Sequence, residues 1–268
     1  MDLGDLGARW REDLAAWAIP EEILARAPQD PWGHDVGRFA RRTEALPAAP
    51  DGPTQARARE ALPPGGSVLD VGAGTGAASL PLRPARLVAV DESAAMLDAL
   101  AARAAELGVR AELVTGRWPD VAPRVPAADV ALSAHVVYNV PDLPEFLTAL
   151  TGRARRRVVL ELSERHPMSR LNPLWEHFHG LRRPSRPTYR DVLEIAAALG
   201  YRVHAAYHRA PDARYASLDE LARSACRRLC LDPARAGEVA RVAADLGLHP
   251  GEREPWITLW WDVTPDKE

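Results

Sequence analysis

A glycine-rich segment, VLDVGAGTGAASLPL at residues 68–82, constrains the fold of this chain more than any other feature. It begins as an apolar run, places Asp70 near the end of that run, and continues with Gly72, Gly74 and Gly76 at every second position. Glycine permits positive φ and lets a ligand approach the backbone without a Cβ in the way. The segment therefore predicts a strand, a ligand-binding turn and then a short helix over GAASLPL.

The residues after the turn exclude one class of nucleotide site. A phosphate-binding loop requires Lys followed by Ser or Thr after its last glycine, whereas Ala77 and Ala78 stand here. Gly72, Gly74 and Ala77 do satisfy the dinucleotide fingerprint G-x-G-x-x-G/A. Asp91, which ends the apolar run RLVAVD, can accept hydrogen bonds from ribose hydroxyls of a dinucleotide or of a simpler nucleoside. The loop therefore predicts a nucleoside site and leaves both ligands open.

Three further features argue against a dinucleotide, and the first of them favours a nucleoside with a positively charged group. Asp70 precedes the first glycine, where a carboxylate would repel a pyrophosphate and attract an ammonium group. Many residues precede the loop, although the dinucleotide fold usually begins with it. Two β-prone runs near the end of the sequence, YRVHAAYH and PWITLWWDV, suit an antiparallel pair at a sheet edge.

Apolar runs alternate with helical patterns through the middle of the chain. The runs read SVLDV, RLVAVD, VRAELVTG, ADVALSAHV and RRVVLELS. Strands this apolar, separated by helices such as the one that Ser93 can cap, are typical of a parallel sheet covered on both faces. The sequence therefore predicts an α/β fold.

Composition narrows the class of protein further. The chain has 47% hydrophobic and 26% charged residues, which is typical of a globular protein in solution. Its net charge of -3 argues against a nucleic-acid partner. No apolar run approaches the ~20 residues of a membrane span, and the N-terminal residues lack a signal-peptide pattern, so we expect a cytoplasmic protein without membrane contact. Cys226 and Cys230 are expected to be free helix thiols, and the sequence leaves a monomer or a homodimer open.

The order of the motifs resembles that of class I S-adenosylmethionine-dependent methyltransferases. The matching stretches are VLDVGAGTG, LVAVDESAAML, VTGRWPD and ADVALSAHVVYNVPD. The resemblance implies a doubly wound, mostly parallel, seven-stranded Rossmann-like sheet with an antiparallel last strand. We expect residues 1–66 to form an N-terminal helical lid and residues 67–268 the methyltransferase domain. That domain would have a core at 67–165 and a helical insertion at about 210–253 between the last two strands.

The resemblance also implies a site for S-adenosylmethionine, with S-adenosylhomocysteine as product. Asp70 would orient the ammonium group, Asp91 would bind the ribose hydroxyls and Met96 would pack on the adenine. The full set of expected cofactor contacts is Asp70, Gly72, Ala73, Gly74, Gly76, Asp91, Glu92, Met96, Gly116, Arg117, Trp118, Ala134 and His135.

One motif departs from the family pattern. An acid often follows the glycine of VTG and bonds the adenine amino group, but Arg117 stands here, followed by Trp118. Two interpretations remain open. Trp118 stacks on or covers the adenine, or it fills the core while Arg117 points to solvent.

The residues that would bind the methyl acceptor and remove its proton are predicted less precisely than the cofactor contacts. His135, Glu161, Glu164 and His166 lie near strand ends and are candidate bases, and His135 has the best position. Trp32, Phe39, Tyr138 and His166 are the candidate substrate or lid residues, and no metal site is predicted.

The expected activity is methyl transfer to an O, N or C atom of a small molecule. A silent cofactor-binding protein of the same fold and an NAD(P)-dependent reductase are the alternatives.

Overall fold

The computed structural model describes residues 2–32, 52–211 and 213–263. The strands are β1 Ser67–Val71, β2 Arg86–Asp91, β3 Ala111–Thr115, β4 Ala128–Ala134, β5 Ala154–Ser163, β6 His204–Arg209 and β7 Pro255–Asp262. The helices are α1 Leu3–Ala15, α2 Glu21–Leu24, α3 Pro53–Ala61, α4 Ala94–Glu106, α5 Leu143–Gly152, α6 Asn172–His179, α7 Tyr189–Ala198, α8 Leu218–Arg228 and α9 Ala236–Asp245.

The strands form a seven-stranded sheet in the order β3-β2-β1-β4-β5-β7-β6. Strands β1 to β5 pair in parallel, and β7 runs antiparallel to both β5 and β6. The predicted α/β sheet with an antiparallel last strand is therefore confirmed. Its carboxyl-terminal edge gathers the ends of the parallel strands, which is where ligands bind in sheets of this kind.

Alternating side chains of the strands supply the cores on the two faces of the sheet. On one face, Leu69 and Leu160 pack in a cluster that includes Trp10 of α1, Phe146 of α5 and Val192 of α7. On the other face, strand residues pack with α3 and α4. That cluster includes Ala58, Leu97, Leu100, Leu132 and Val159. Ser93 caps α4 as expected, since its hydroxyl accepts a hydrogen bond from the Met96 N–H.

The expected helix after the glycine loop is wrong. Only a 3-10 turn, Leu80–Leu82, stands there, and Arg83 ends it with a φ of 48°. Pro81 cannot donate a backbone hydrogen bond, so a regular helix would lack a bond at that position. The turn is held from outside instead, because the Arg59 side chain donates to the carbonyls of Pro81 and Leu82.

The N-terminal segments pack against both faces of the sheet. Helix α1 contacts α5 and α7, whereas α3 contacts β4, β5 and β7 on the opposite face. Ile19 and Ile23 join a third hydrophobic cluster with the C-terminal helices. The structure thus distributes the N-terminal residues over three packing surfaces. The division at residue 66 and the role of residues 1–66 as a lid remain predictions.

Helices α8 and α9 lie between β6 and β7, where the helical insertion was expected. They pack with α6 around Trp175, Leu221 and Val239. Arg183 contacts both Trp17 of the N-terminal segment and Trp175 of this helical group. Its guanidinium lies over the rings of Trp17 and Trp175, at 5.5 Å and 4.9 Å from their centroids.

Asp191 gives a test of how α1 is held on the fold. Its carboxylate, 4% exposed, accepts hydrogen bonds from the Thr188 N–H and hydroxyl and pairs with Arg9 and Arg186. Asp191→Asn should lower the free energy of unfolding by about 2 kcal/mol, because it removes the charge of a buried pair and weakens the cap of α7. Urea unfolding followed by circular dichroism would measure this.

Glu194→Gln is the matched control, since Glu194 is exposed and also pairs with Arg9. It should change the unfolding free energy by less than about 1 kcal/mol. Equal effects of the two substitutions would contradict the assignment.

Candidate cofactor and acceptor site

The glycine loop leaves open space where a ligand could approach its backbone. Gly74 has a φ of 51°, and a Cβ added there would meet no atom within 4 Å. Gly72, with a φ of 70°, differs because a Cβ there would lie 2.2 Å from Cγ2 of Val136. Gly72 is therefore required by packing, and Gly74 is the glycine that faces free volume.

Asp70 lies beneath this loop with a carboxylate that has no hydrogen-bond partner among the described residues. The residue is 1% exposed, and its register partners Ala89 and Leu132 belong to the core beside α3 and α4. Burial, and to a lesser degree the charge of Asp91, raise the pKa of Asp70 to about 7, although the hydroxyl of Ser79 opposes the shift. A buried carboxylate that the Ser79 hydroxyl satisfies at most in part fits a cationic ligand group.

Asp91 ends β2 and is already engaged with the protein backbone. Its Oδ2 accepts a hydrogen bond from the Gly74 N–H at 2.8 Å, and its Oδ1 accepts one from the Ser93 N–H at 2.9 Å. Each carboxylate oxygen keeps a further lone pair. Asp91 can thus hold the loop in place and still accept hydrogen bonds from a ligand.

The structure brings together two of the candidate bases. His135, just beyond β4, has its Nε2 3.1 Å from Oε1 of Glu161 on β5. The backbone N–H of His135 donates to the Glu161 carbonyl, and His135 has a φ of 59°. A residue other than glycine held at positive φ is strained, and such strain concentrates at functional sites.

Residues not predicted from the sequence complete the surroundings of Glu161. The Thr54 hydroxyl donates to Glu161 Oε2 at 2.6 Å, Thr258 lies 2.7 Å from Thr54, and His208 Nε2 lies 3.1 Å from Thr258. Burial alone would raise the pKa of Glu161, but His135 and Thr54 lower it below the ordinary value of a glutamate. One signal was available for Thr258, because it is a polar residue inside the apolar run WITLWW.

Trp118 lies in the core. It is 6% exposed and its indole N–H donates to the Phe146 carbonyl at 3.3 Å. This is the second of the two interpretations considered, and it leaves little indole surface for adenine. Arg117 has a side chain that is 59% exposed and lies 4.0 Å from that of Glu92, which is exposed as well.

The remaining expected cofactor residues lie along the same sheet edge. Gly116 follows β3 and donates its N–H to the Asp91 carbonyl, and Met96 is buried in the first turn of α4. Ala73 is buried in the loop, Ala134 ends β4, and Gly76 packs against Leu80. Their contacts with a cofactor remain predictions.

Two candidate substrate residues are core residues. Tyr138 is 4% exposed, donates its hydroxyl to the Ser163 carbonyl, and stacks on Trp10. His166 is 8% exposed and stacks on Trp17 with ring centroids 4.0 Å apart. Burial and the charge of Arg183 lower the pKa of His166 to about 4. A buried imidazole with so low a pKa is a poor proton acceptor at neutral pH, so the structure argues against His166 as the base.

The other candidates lie apart from this group or cannot be placed. Glu164 is half-buried, and its backbone pairs with Pro255 and Tyr189. Trp32 is 42% exposed, and Phe39 lies outside the described residues.

The unpartnered carboxylate gives a test of the site in the ligand-free protein. The folded-state pKa of Asp70 lies above its ordinary value of 3.8, so the folded protein binds the extra proton between about pH 4 and pH 7. Burial of the charged Asp70 carboxylate therefore does not lower the stability of the fold at low pH, and it lowers that stability fully above about pH 7. Asp70→Asn removes the charge and should raise the free energy of unfolding at about pH 8, by at most about 4 kcal/mol.

Urea unfolding at about pH 5 and about pH 8 would measure the effect, which should be smaller at the lower pH. Asp98→Asn on the exposed side of α4 is the control and should have no such effect. A destabilised Asp70→Asn protein at about pH 8 would show that the carboxylate is satisfied in the fold.

Sequence comparison finds a known type of domain in part of the chain. Residues 68–156 match the model of a family described as "Methyltransferase domain". No relative of this chain is found among curated proteins.

Solved structures show the same fold at low sequence identity. A S-adenosylmethionine-dependent methyltransferase from Thiobacillus denitrificans, in complex with S-adenosyl-L-homocysteine, is 19% identical with a TM-score of 0.50; the match covers 85% of this chain and 98% of that one. Magnesium protoporphyrin IX methyltransferase from Synechocystis PCC 6803 is 15% identical with a TM-score of 0.51, over 90% of this chain and 93% of that one.

Among the described residues, no helix combines the length and apolar character required to cross a membrane. Residues 68–156, which include the glycine loop, thus match a methyltransferase domain, and the strand order and the solved structures show the fold.

Proposed function

We propose that the protein transfers a methyl group from S-adenosylmethionine to an oxygen or nitrogen atom of a small molecule. The buried, unpartnered carboxylate of Asp70 beneath the open backbone at Gly74 is the observation that carries the cofactor part. The pair of His135 and Glu161 supports the choice of an acceptor that must lose a proton.

The charged and polar groups of the loop suit the cofactor's chemistry. Asp70 would pair with the ammonium group, either directly or through water, and the ribose hydroxyls would donate to the remaining lone pairs of Asp91. Gly74 would let the ligand lie against the backbone. When bound, S-adenosylmethionine supplies a methyl group on a positively charged sulfur, so the protein itself needs no nucleophile.

His135 would take the proton of the acceptor. Its Nε2 lies 3.1 Å from Glu161 Oε1 without the alignment of a hydrogen bond, and a small rotation would let an N–H there donate to the carboxylate and leave Nδ1 as the basic nitrogen. The Glu161 carboxylate would stabilise the imidazolium that forms. The side chain of His135 is 30% exposed, so an acceptor could reach it.

The small-molecule acceptor is favoured by charge. The net charge of -3 provides no field that would attract a nucleic acid. The described residues also offer two carboxylates at the loop, which disfavour polyphosphate ligands.

Calorimetry with S-adenosylhomocysteine tests the cofactor part. We expect the wild-type protein to bind, and Asp91→Ala to weaken binding by at least about 1 kcal/mol, because hydrogen bonds to the ribose and to Gly74 are lost. Asp98→Ala should bind as the wild type does. Absence of wild-type binding at high micromolar concentration would refute the cofactor assignment, and thermal protection by NADH alone would favour a reductase.

Turnover with small acceptors tests the base. Release of S-adenosylhomocysteine would be measured with separate panels of phenols, carboxylic acids and amines. His135→Gln should lower turnover of an accepted compound at saturating S-adenosylmethionine by about 100-fold or more. His204→Gln, at an exposed position of β6, is the control. Binding without turnover in any panel would instead favour a silent cofactor-binding protein.

A further inference from the structure

A continuous chain of polar side chains links His135 to a second histidine across the sheet. It runs from His135 through Glu161, Thr54 and Thr258 to His208, with successive separations of 3.1, 2.6, 2.7 and 3.1 Å. Thr54 and Thr258 are both 0% exposed. Water is thus excluded from the middle of the chain, so the hydroxyls must satisfy one another.

The number of hydrogens fixes the direction of these bonds. A threonine hydroxyl has one hydrogen to donate, and Thr54 uses its hydrogen on the Glu161 carboxylate. The hydrogen between the two hydroxyls must therefore come from Thr258. Thr258 then has none left for His208, so His208 Nε2 must carry the hydrogen of the last bond.

The donors of Thr54, Thr258 and His208 consequently all point towards Glu161. The carboxylate receives the Thr54 hydroxyl on Oε2 and faces the imidazole of His135 at Oε1. Trp256 packs against both imidazoles, with ring centroids 4.3 Å from that of His135 and 6.1 Å from that of His208. The rings at both ends of the chain are therefore held by packing as well.

We propose that Thr54, Thr258 and His208 are positioning residues, which hold Glu161 ionised and turned towards His135. None of the three needs to touch the acceptor. This inference rests on the proposed role of His135 as the base. Thr54 belongs to α3. Its bond to Glu161 therefore makes α3 part of the acceptor side of the site.

The tautomer of His208 reports the direction of the chain without any need for methyl transfer. Proton–nitrogen correlation NMR of the imidazole rings, above the pKa of histidine, would show which ring nitrogen carries the hydrogen. Loss of signals in His208→Gln and in His135→Gln would assign the two rings. We expect Nε2–H for His208 in the ligand-free wild-type protein.

Thr54→Val should reverse the direction of the hydrogen bond between Thr258 and His208, although Thr54 does not touch His208. The Thr258 hydroxyl would lose its acceptor and turn its hydrogen to His208 Nε2, leaving the hydrogen of the ring on Nδ1. Thr54→Ser keeps the hydroxyl and should retain the wild-type tautomer.

Two results would overturn the proposal. One is Nδ1–H at His208 in the wild-type protein, which does not depend on the folding of any variant. The other is an unchanged His208 tautomer in Thr54→Val, with the signals of the core residue His166 confirming that the variant is folded. Failure of S-adenosylhomocysteine to bind would refute the cofactor assignment and leave these NMR results interpretable.

Discussion

The register of neighbouring strands decides which side chains meet at the carboxyl end of this sheet. Leu132 of β4 is paired with Asp70 of β1 and with Val159 of β5, so the three side chains lie on one face. Glu161 lies two residues beyond Val159 on that face and is paired with Thr258. A slip of one residue in any pairing would turn these polar groups to the opposite core. The site therefore depends on the same apolar packing that fixes the register.

Groups that stand at the ends of apolar runs could be predicted from the sequence. Asp70 is the last residue but one of β1 and Asp91 ends β2, and a carboxylate in such a place indicates a candidate ligand site. The sheet followed from the same runs, because their length and apolar character leave few alternatives. The missing helix after the loop was a misreading of local signals, since the prolines at positions 81 and 84 weigh against it.

The acceptor side could not be predicted in the same way. Thr54 and Glu161 are 107 residues apart in sequence, and Thr54 and Thr258 are 204 apart. Their contact depends on β7 lying between β5 and β6, and on α3 packing over β5. Local sequence patterns predict neither the place of β7 in the sheet nor the packing of α3 over β5. Trp118 and Tyr138 show another limit, because aromatic residues next to expected site motifs were candidates for ligand contact and local patterns did not reveal that both side chains pack in the core.

The 3-10 turn after the glycine loop has a consequence for which ligands the site can select. A regular helix at that position would direct its positive end at the loop and favour an anion. Here the turn spans only Leu80–Leu82, and the nearby charges are the carboxylates of Asp70 and Asp91. In the proposed cofactor site, an ionised Asp70 beside Asp91 would make the loop select by the sign of the charge: nucleosides with a cationic side chain would be attracted and nucleoside di- and triphosphates repelled, even where their ribose and base would fit equally well.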